Sequence, residues 1–444
     1  MNNYQEQRTE LQDTFTAIGK KTELILTVGQ LLMENGADTT RIIQDMMRVS
    51  AFMGIAEKKI HLHIMYTTLM LNISDEAHSY TNFRKCQKHA VDMRIISAVS
   101  KLTWRALRDH YTLEEFEDNL KIIISKPRYY PEWLVIIMTG LSSGGICGLF
   151  GCDIAAFFYT ALCAMIGKIV QINLNRMAIN TYVSTAFAAF AASTAAYFVH
   201  FMPTSTPWHP IIASALFLMP GIPMINSVSD FINNYLMSGV ARSVHTFLIT
   251  GGMTFGIVFA IGTFNVEDFT DLQIFLGHNY LRFAIAAAIC AVGFSILFNL
   301  PPRLLLAAGI GGAITVCIRN FCILNLGLSA GAGTLAGATA ISIIGVKAIH
   351  WFHTPTPVLV VPSVIPLVPG VLIYRLLFDI INVSQLKNHE LLSAIKSGVD
   401  AGLIILAIAI GAAMPSIFAH KIFERRKKEE QERLLKEVYE NNDD

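Results

Sequence analysis

Apolar residues follow two different spacing rules along this chain, and the change comes near residue 130. Between Leu24 and Met53, the residues Ile25, Val28, Leu32, Ile42, Met46 and Val49 recur at helical spacing, which predicts an amphipathic helix. Glu34-Asn35-Gly36-Ala37-Asp38 interrupts it as a turn, with a fresh N-cap at Asp38. Lys59 to Ile73 alternates and is rich in Ile, Leu, Tyr and Thr, which predicts one or two strands. Helices are expected around Asn82–His110 and from Thr112 through Ile124, where Thr112 and Glu115 have capping-box spacing. Residues 1–130 therefore read as a small α+β domain in water.

From Trp133 onward, apolar runs of about 18–25 residues recur, long enough to cross a hydrocarbon core of about 30 Å. Ten spans are expected near 133–151, 153–173, 178–200, 209–226, 243–263, 280–300, 302–323, 327–350, 356–378 and 395–419. Arg425-Arg426-Lys427-Lys428 follows the last span, and Lys121, Lys126 and Arg128 precede the first, so both termini are expected in the cytoplasm. The acidic loop Asn265–Asn279 and the uncharged stretch His200–His209 then fall outside, while Lys387 runs against this majority. Residues 424–444 are mostly charged and read as a solvated cytoplasmic tail.

Composition agrees with a lipid-facing chain. It is 53% hydrophobic and only 15% charged, where soluble domains carry roughly a quarter. The mean hydropathy is +0.48. A formal net charge of +1 gives no global field for nucleic acid. Cys147, Cys152, Cys163, Cys290, Cys317 and Cys322 lie in apolar runs and Cys86 in the polar part, without metal spacing, so they read as small apolar fillers. Met1-Asn-Asn-Tyr-Gln-Glu has no apolar h-region, so a cleaved secretion signal is not expected. No cofactor motif appears.

Shifting the second region by 149 residues aligns Ala164 with Ala313, Ile169 with Ile318, Ala191 with Ala340 and Ser193 with Ser342. It also aligns Pro220-Gly221 with Pro369-Gly370, Asp230 with Asp379, and Asn233 with Asn382. The last three carry weight, because Pro, Asp and Asn are scarce in spans. A repeat of five spans is odd, so the second copy must enter from the opposite side. The expected fold is thus an α-helical integral membrane protein with two inverted five-helix repeats, at 131–264 and 265–423. Such repeats support alternating access, with the two proline-glycine kinks expected to face a shared polar chamber near the midplane.

The helix-breaking motifs are Leu218-Met-Pro220-Gly221-Ile-Pro223 and Pro362-Ser-Val-Ile-Pro366-Leu-Val-Pro369-Gly370. Proline removes an amide donor and glycine permits non-helical torsions, so such breaks survive in lipid only where protein or a polar cavity satisfies the backbone. Half-helix N-termini formed there attract anions. After the first break Asn226, Asp230, Asn233 and Asn234 fall on one helical face; after the second, Arg375, Asp379 and Asn382 do so. Asp230 and Asp379 are the leading proton or cation carriers, since burial of a carboxyl favours its neutral form. Arg375 could pair with Asp379 or bind a substrate carboxylate. Asp153, Lys168, Arg176, Arg242, Arg303, Arg319, Lys347, Lys396 and Asp400 are further charges in the membrane part, with Lys168 and Asp400 furthest from span ends. His61 and His63 alternate on a predicted strand without other ligand residues nearby. Gly140-Leu-Ser142-Ser-Gly144 and Gly327-Leu-Ser329-Ala-Gly331 match the serine-nucleophile pattern but lack its strand-turn-helix context. Their glycines, like Gly148, Gly333 and Gly337, fit small-residue helix packing instead.

At these motifs the chain resembles the threonine/serine exporter family over essentially its whole length. Gly29-Gln-Leu-Leu-Met-Glu34-Asn35-Gly36-Ala37-Asp38-Thr-Thr-Arg41 resembles that family's cytoplasmic domain. Leu218-Met-Pro220-Gly221 through Asp230 to Ser238-Gly239-Val-Ala-Arg242 resembles the end of its first membrane half. Asn299-Leu-Pro301-Pro302-Arg303-Leu-Leu-Leu and Val361-Pro362 to Pro369-Gly370 resemble the second. The resemblance implies a bacterial inner-membrane exporter of small hydroxy amino acids driven by the proton-motive force. In some relatives two separate proteins carry the halves and together export succinate. The family often has Gly-Asp where this chain has Asn233-Asn234. Expected partners are threonine, serine or a dicarboxylate, protons or another coupling ion, and the lipid bilayer; a homo-oligomer is left open. The competing reading is a membrane-anchored regulator whose N-terminal domain binds a partner.

Overall fold

A computed structural model describes residues 2–74, 78–109, 111–264, 278–352, 355–381, 391–413 and 415. The expectations for Asn382, Lys387, the loop at 265–277 and the charged tail lie outside them. The chain forms two compact units, one comprising Met1–Pro127 with Asp230–Ala241, the other Arg128–Ser229 with Arg242–Phe418.

In the first unit α1 (Asn2–Glu34) and α2 (Thr39–Phe52) form the interrupted helix pair. Asp38 caps α2, accepting the Arg41 N–H at 3.0 Å. Gly36 turns the chain at φ 88°, and a Cβ there would meet the Ala90 carbonyl at 3.3 Å. Ile25, Val28, Leu32, Ile42, Met46 and Val49 are all buried, as their spacing requires. Strands β1 (Ile60–Met65), β2 (Thr68–Ser74) and β3 (Ser79–Lys85) make an antiparallel meander in which Leu62 pairs with Leu71 and Leu71 with Asn82. Residues 82–85 are therefore strand, not the start of a helix. The apolar face of β3 is carried by Tyr80 and the stem of Arg84, so its alternation is faint in sequence. The helix α3 begins only at Met93 (Met93–Arg108), capped by Asp92. The Thr112–Glu115 capping box opens α4 (Leu113–Ser125) as expected.

Between α2 and α3 the buried Asp45 carboxylate accepts Ser100 Oγ at 2.6 Å and Thr103 Oγ1 at 3.2 Å and pairs with Arg48. The Arg48 guanidinium lies 4.1 Å from the centre of the Trp104 ring. A charge without water needs such partners, and here several supply them.

The second unit is helical: α5 (Glu132–Leu149), α6 (Ile154–Arg176), α7 (Thr181–Tyr197), α8 (His209–Ala213), α9 (from Gly221), α10 (to Thr263), α11 (Tyr280–Leu297), α12 (Leu305–Leu324), α13 (Ala330–Phe352), α14 (Thr356–Val364), α15 (Gly370–Ile381) and α16 (Leu391–Ala413). The complete α9 runs Gly221–Ile232 and α10 Leu236–Thr263, so the division between units falls within both. Among the described residues seven helices are long and apolar enough to cross a membrane, or nine if each of two bent pairs counts as a span. The tenth expected span is α7, which has 17 residues. The protein is a multi-pass helical membrane protein. Ile154, Phe158, Leu162, Ile166 and Ile169 form an exposed apolar row on α6, a surface suited to lipid rather than water.

The shift of 149 residues found in the sequence also relates the elements. It carries the 3₁₀ turn Leu216–Leu218 onto Ile365–Leu367 and α9 onto α15, without a residue of discrepancy. The first helices of the two sets, α5 and α11, pack directly on each other through glycines. A Cβ at Gly145 would lie 2.7 Å from Ala286 O, and one at Gly293 2.7 Å from Met138 O and 2.6 Å from Ser142 Cβ. Partner numbers fall on α11 as they rise on α5, so the two helices run antiparallel. Gly140 and Gly144 seat α5 on Ala161, Met165 and Phe157 of α6, which accounts for one serine-glycine motif as helix packing. Gly333 and Gly337 seat α13 on Arg319 and Thr315 of α12. Gly327 instead takes φ 66° in the link between α12 and α13, and Gly331 has no neighbour closer than 3.9 Å among the described residues, so these show no close packing of that pair.

Candidate functional site at the paired helix breaks

Each break follows the same local course. Met219 (φ −59°, ψ 124°) and Val368 (φ −60°, ψ 127°) leave the helical region because a proline follows and crowds their backbone. Gly221 N–H then donates to Met219 O at 2.8 Å, and Gly370 N–H to Val368 O at 2.8 Å. The chain restarts as α9 and α15, bent by 60° and 58° from the preceding segments. Pro223 stands in the first turn of α9, where a helix amide lacks a partner anyway. Pro362 lies inside α14 and Pro366 in the 3₁₀ turn after it. Ser363 Oγ donates to Leu359 O at 3.0 Å and Ala308 O at 3.3 Å, which ties α14 to α12 just before the break.

The two breaks touch. A Cβ on Gly221 would lie 2.8 Å from Ile365 Cδ1 and 3.7 Å from Val368, and one on Gly370 3.0 Å from Leu216 Cδ2 and 3.7 Å from Met219. Leu216 and Met219 are the counterparts of Ile365 and Val368 under the 149-residue shift, so each break makes with the other the contact it receives. That reciprocity is what a two-fold axis between the breaks produces. The sequence led us to expect a polar chamber between them. Instead Leu216, Phe217, Leu218, Met219, Val371 and Tyr374 share one buried apolar cluster there, and Ile225 packs with Val364 and Leu367 in a second.

Polar groups border these clusters. Lys168 Nζ sits 5.9 Å from the Phe217 ring centre and donates to Gln171 Oε1 at 2.8 Å. Asn226 and Arg242 are buried in the second unit, at 7% and 1% exposure. Arg375 and Asp379 are half-buried on α15, and Asp400 is half-buried on α16. Asp153 lies elsewhere: it caps α6, accepting Ala156 N–H at 2.7 Å and Ser205 N–H at 2.7 Å together with the Thr204 and Ser205 hydroxyls. Burial raises its pKa, but these donors outweigh burial and hold it at about 2.

The face expected to carry Asn226, Asp230, Asn233 and Asn234 is not continuous. The helix α9 ends at Ile232. Asn234 takes φ 64°, its N–H bonding to Phe231 O at 3.1 Å and the Tyr235 N–H to Asp230 O at 2.8 Å, the bonding pattern of a Schellman cap. The position is read by conformation, and Asn is the residue after Gly that best tolerates it. Asp230 is 1% exposed and belongs to the first unit, where Oδ1 accepts the Thr39 N–H at 3.2 Å. Sequence reasoning missed Lys168's aromatic neighbour Phe217 and the buried Tyr374 beside the breaks. It also missed Thr39, Tyr235 and Ser238 around Asp230; only the position of Thr39 as first residue of α2 was visible, through the cap at Asp38.

Residues 23–264 match the family described as "Putative threonine/serine exporter", and residues 283–418 the family described as "Threonine/Serine exporter, ThrE". The "Probable succinate transporter subunit YjjP" of Escherichia coli (strain K12) is 26% identical over 245 residues, covering 54% of this chain and 93% of its own length. The protein of the same description from Klebsiella aerogenes is 24% identical over 242 residues, covering 54% and 92%. No solved structure matches the chain.

Proposed function

The chain belongs to the threonine/serine exporter family, and from that premise we propose that it exports threonine or serine by alternating access. In this reading ten spans form two inverted five-helix repeats in a bacterial inner membrane, with both termini in the cytoplasm and the proton-motive force as drive. The reciprocal contact of the Pro220-Gly221 and Pro369-Gly370 breaks carries the proposal. Antiparallel packing of α5 on α11 supports the inversion, since a two-fold axis that reverses a spanning helix lies in the membrane plane. The observed packing of the breaks fits a closed state, which substrate would open by parting Leu216 and Met219 from Gly370, and Ile365 and Val368 from Gly221. The positive ends of α9 and α15, with Lys168 beside Phe217, would meet the substrate carboxylate. Arg242, Arg375 and Asn226 line the same route, Asp379 serves as a coupling carboxylate, and Asp400 is a secondary position along it.

A second reading, dicarboxylate export, draws on the succinate transporter subunits to which the chain is similar. They match 54% of this chain, which also carries the second exporter match at 283–418. Cells loaded with a threonyl dipeptide should release threonine several-fold faster when they express this chain, and a protonophore should abolish the difference. In proteoliposomes excess succinate should leave threonine flux unchanged; strong competition would favour the dicarboxylate reading. Asp379→Asn should abolish gradient-driven flux while the protein stays inserted. Unaltered release across amino acids and dicarboxylates would overturn both readings.

A further inference from the structure

The segment Asp230–Ala241, which closes α9 and opens α10, is grouped with the N-terminal domain rather than with the helices on either side of it in sequence. Three contacts within that unit explain the grouping. Thr39 is the first residue of α2, and its N–H, one of the amides no helix can satisfy internally, donates to Asp230 Oδ1 at 3.2 Å. Both residues are buried, at 0% and 1% exposure. The hydroxyl of Tyr235 is hydrogen-bonded to the side chain of Thr40, the next residue of α2. From the other side, Ser238 Oγ donates to Ile64 O of β1 at 2.9 Å. The α9–α10 elbow is thus gripped by the start of one helix and the end of one strand, with a carboxylate placed where the α2 dipole favours negative charge.

We propose that the N-terminal domain is a clamp on this elbow, with Asp230 as its latch and Thr39, Thr40 and Ile64 as positioning residues. The elbow is the end of the half-helix that starts at the first break, eleven positions before Ile232. Any swing of α9 about Gly221 must carry the elbow along, so the grip of the N-terminal domain limits how far and how often α9 moves. The sequence holds no second copy of residues 1–127 ahead of the second repeat. The consequence for flux rests on the export reading; the clamp itself does not.

Thr39→Pro tests this with little other disturbance. Proline at the first helical position is favourable, and Asp38 already has the extended backbone (φ −73°, ψ 157°) that a following proline requires. The substitution removes the N–H while leaving the Asp230 carboxylate intact, which separates a latch from a proton carrier. Thr39→Ala keeps the N–H and serves as the control. Hydrogen exchange of the full-length protein in lipid nanodiscs should be about tenfold faster at the Tyr235 and Gly239 amides in Thr39→Pro, as expected for loss of a hydrogen bond to a charged group, and near the wild-type rate in Thr39→Ala. Maximal threonine efflux should rise at least about threefold in Thr39→Pro with the half-saturating concentration unchanged, the pattern of a freed swing rather than of altered substrate contacts. Wild-type exchange at the elbow in Thr39→Pro would overturn the clamp, as would faster exchange with maximal efflux no higher than wild type. If the wild type moves none of the solutes tested, the export reading fails and the exchange comparison still decides the clamp.

Discussion

Asp153 shows how far a single residue can be judged from sequence. A carboxylate at the edge of an apolar run reads equally well as a ligand, an interface anchor or a helix cap. Its four donors, three of them some fifty residues away in the Ser205 loop, are a tertiary fact that no local pattern carries. The depressed pKa makes a prediction with a definite sign. A folded pKa near 2, below the unfolded value of about 3.9, means that the cap contributes its full stability above about pH 4 and loses it as pH falls through 2. Asp153→Asn should lower stability by about 1 kcal/mol at pH 7 through the negative charge lost at the helix N-terminus. In thermal melts of the detergent-solubilised protein, that gap should narrow between pH 4 and pH 2; a gap independent of pH would contradict the assignment. Asp230 was legible as an unusual buried carboxylate, but its bond to Thr39 joins residues 191 positions apart. Asn234 was read as a polar side chain when its backbone was the relevant property.

At the scale of elements, the strong periodicities gave correct answers and the weak ones did not. The face from Ile25 to Val49, the turn at Gly36 and the capping box at Thr112 all fold as their spacing requires, because each is a local rule obeyed by several residues at once. Strand β3 escaped because only polar-tipped side chains mark its inner face. The ten apolar runs were visible, yet α7 at 17 residues and the two broken pairs show that an apolar run does not fix the path of the helix. Glycine positions were visible too, but not which of them are packed. Gly293→Ala would place a methyl group 2.7 Å from a backbone carbonyl of α5, which cannot turn aside, whereas Gly251 on α10 has nothing within 4 Å among the described residues. Gly293→Ala should therefore destabilise the folded protein by about 1–3 kcal/mol, and Gly251→Ala should be neutral or slightly stabilising through helix propensity. Equal melting temperatures for the two variants would argue against close α5–α11 packing.

At the scale of the whole molecule, the account depends on symmetry. The 149-residue shift was readable from three scarce residue pairs, and the elements then follow it turn for turn through both breaks. What the sequence could not supply was the meeting of the breaks, nor that apolar side chains rather than a polar chamber fill the space between them, since contacts across a two-fold axis join positions about 149 residues apart. Inversion of the two repeats in the bilayer is the claim from which alternating access follows. Ile154 and Arg303 occupy equivalent positions at the starts of α6 and of the segment leading into α12, and both are exposed. Labelling of Ile154→Cys and Arg303→Cys by a membrane-impermeant maleimide, each in a background without the native cysteines, measures their sidedness directly. The account predicts that Ile154→Cys reacts only from outside the cell and Arg303→Cys only from the cytoplasm; reaction of both from the same side would contradict it.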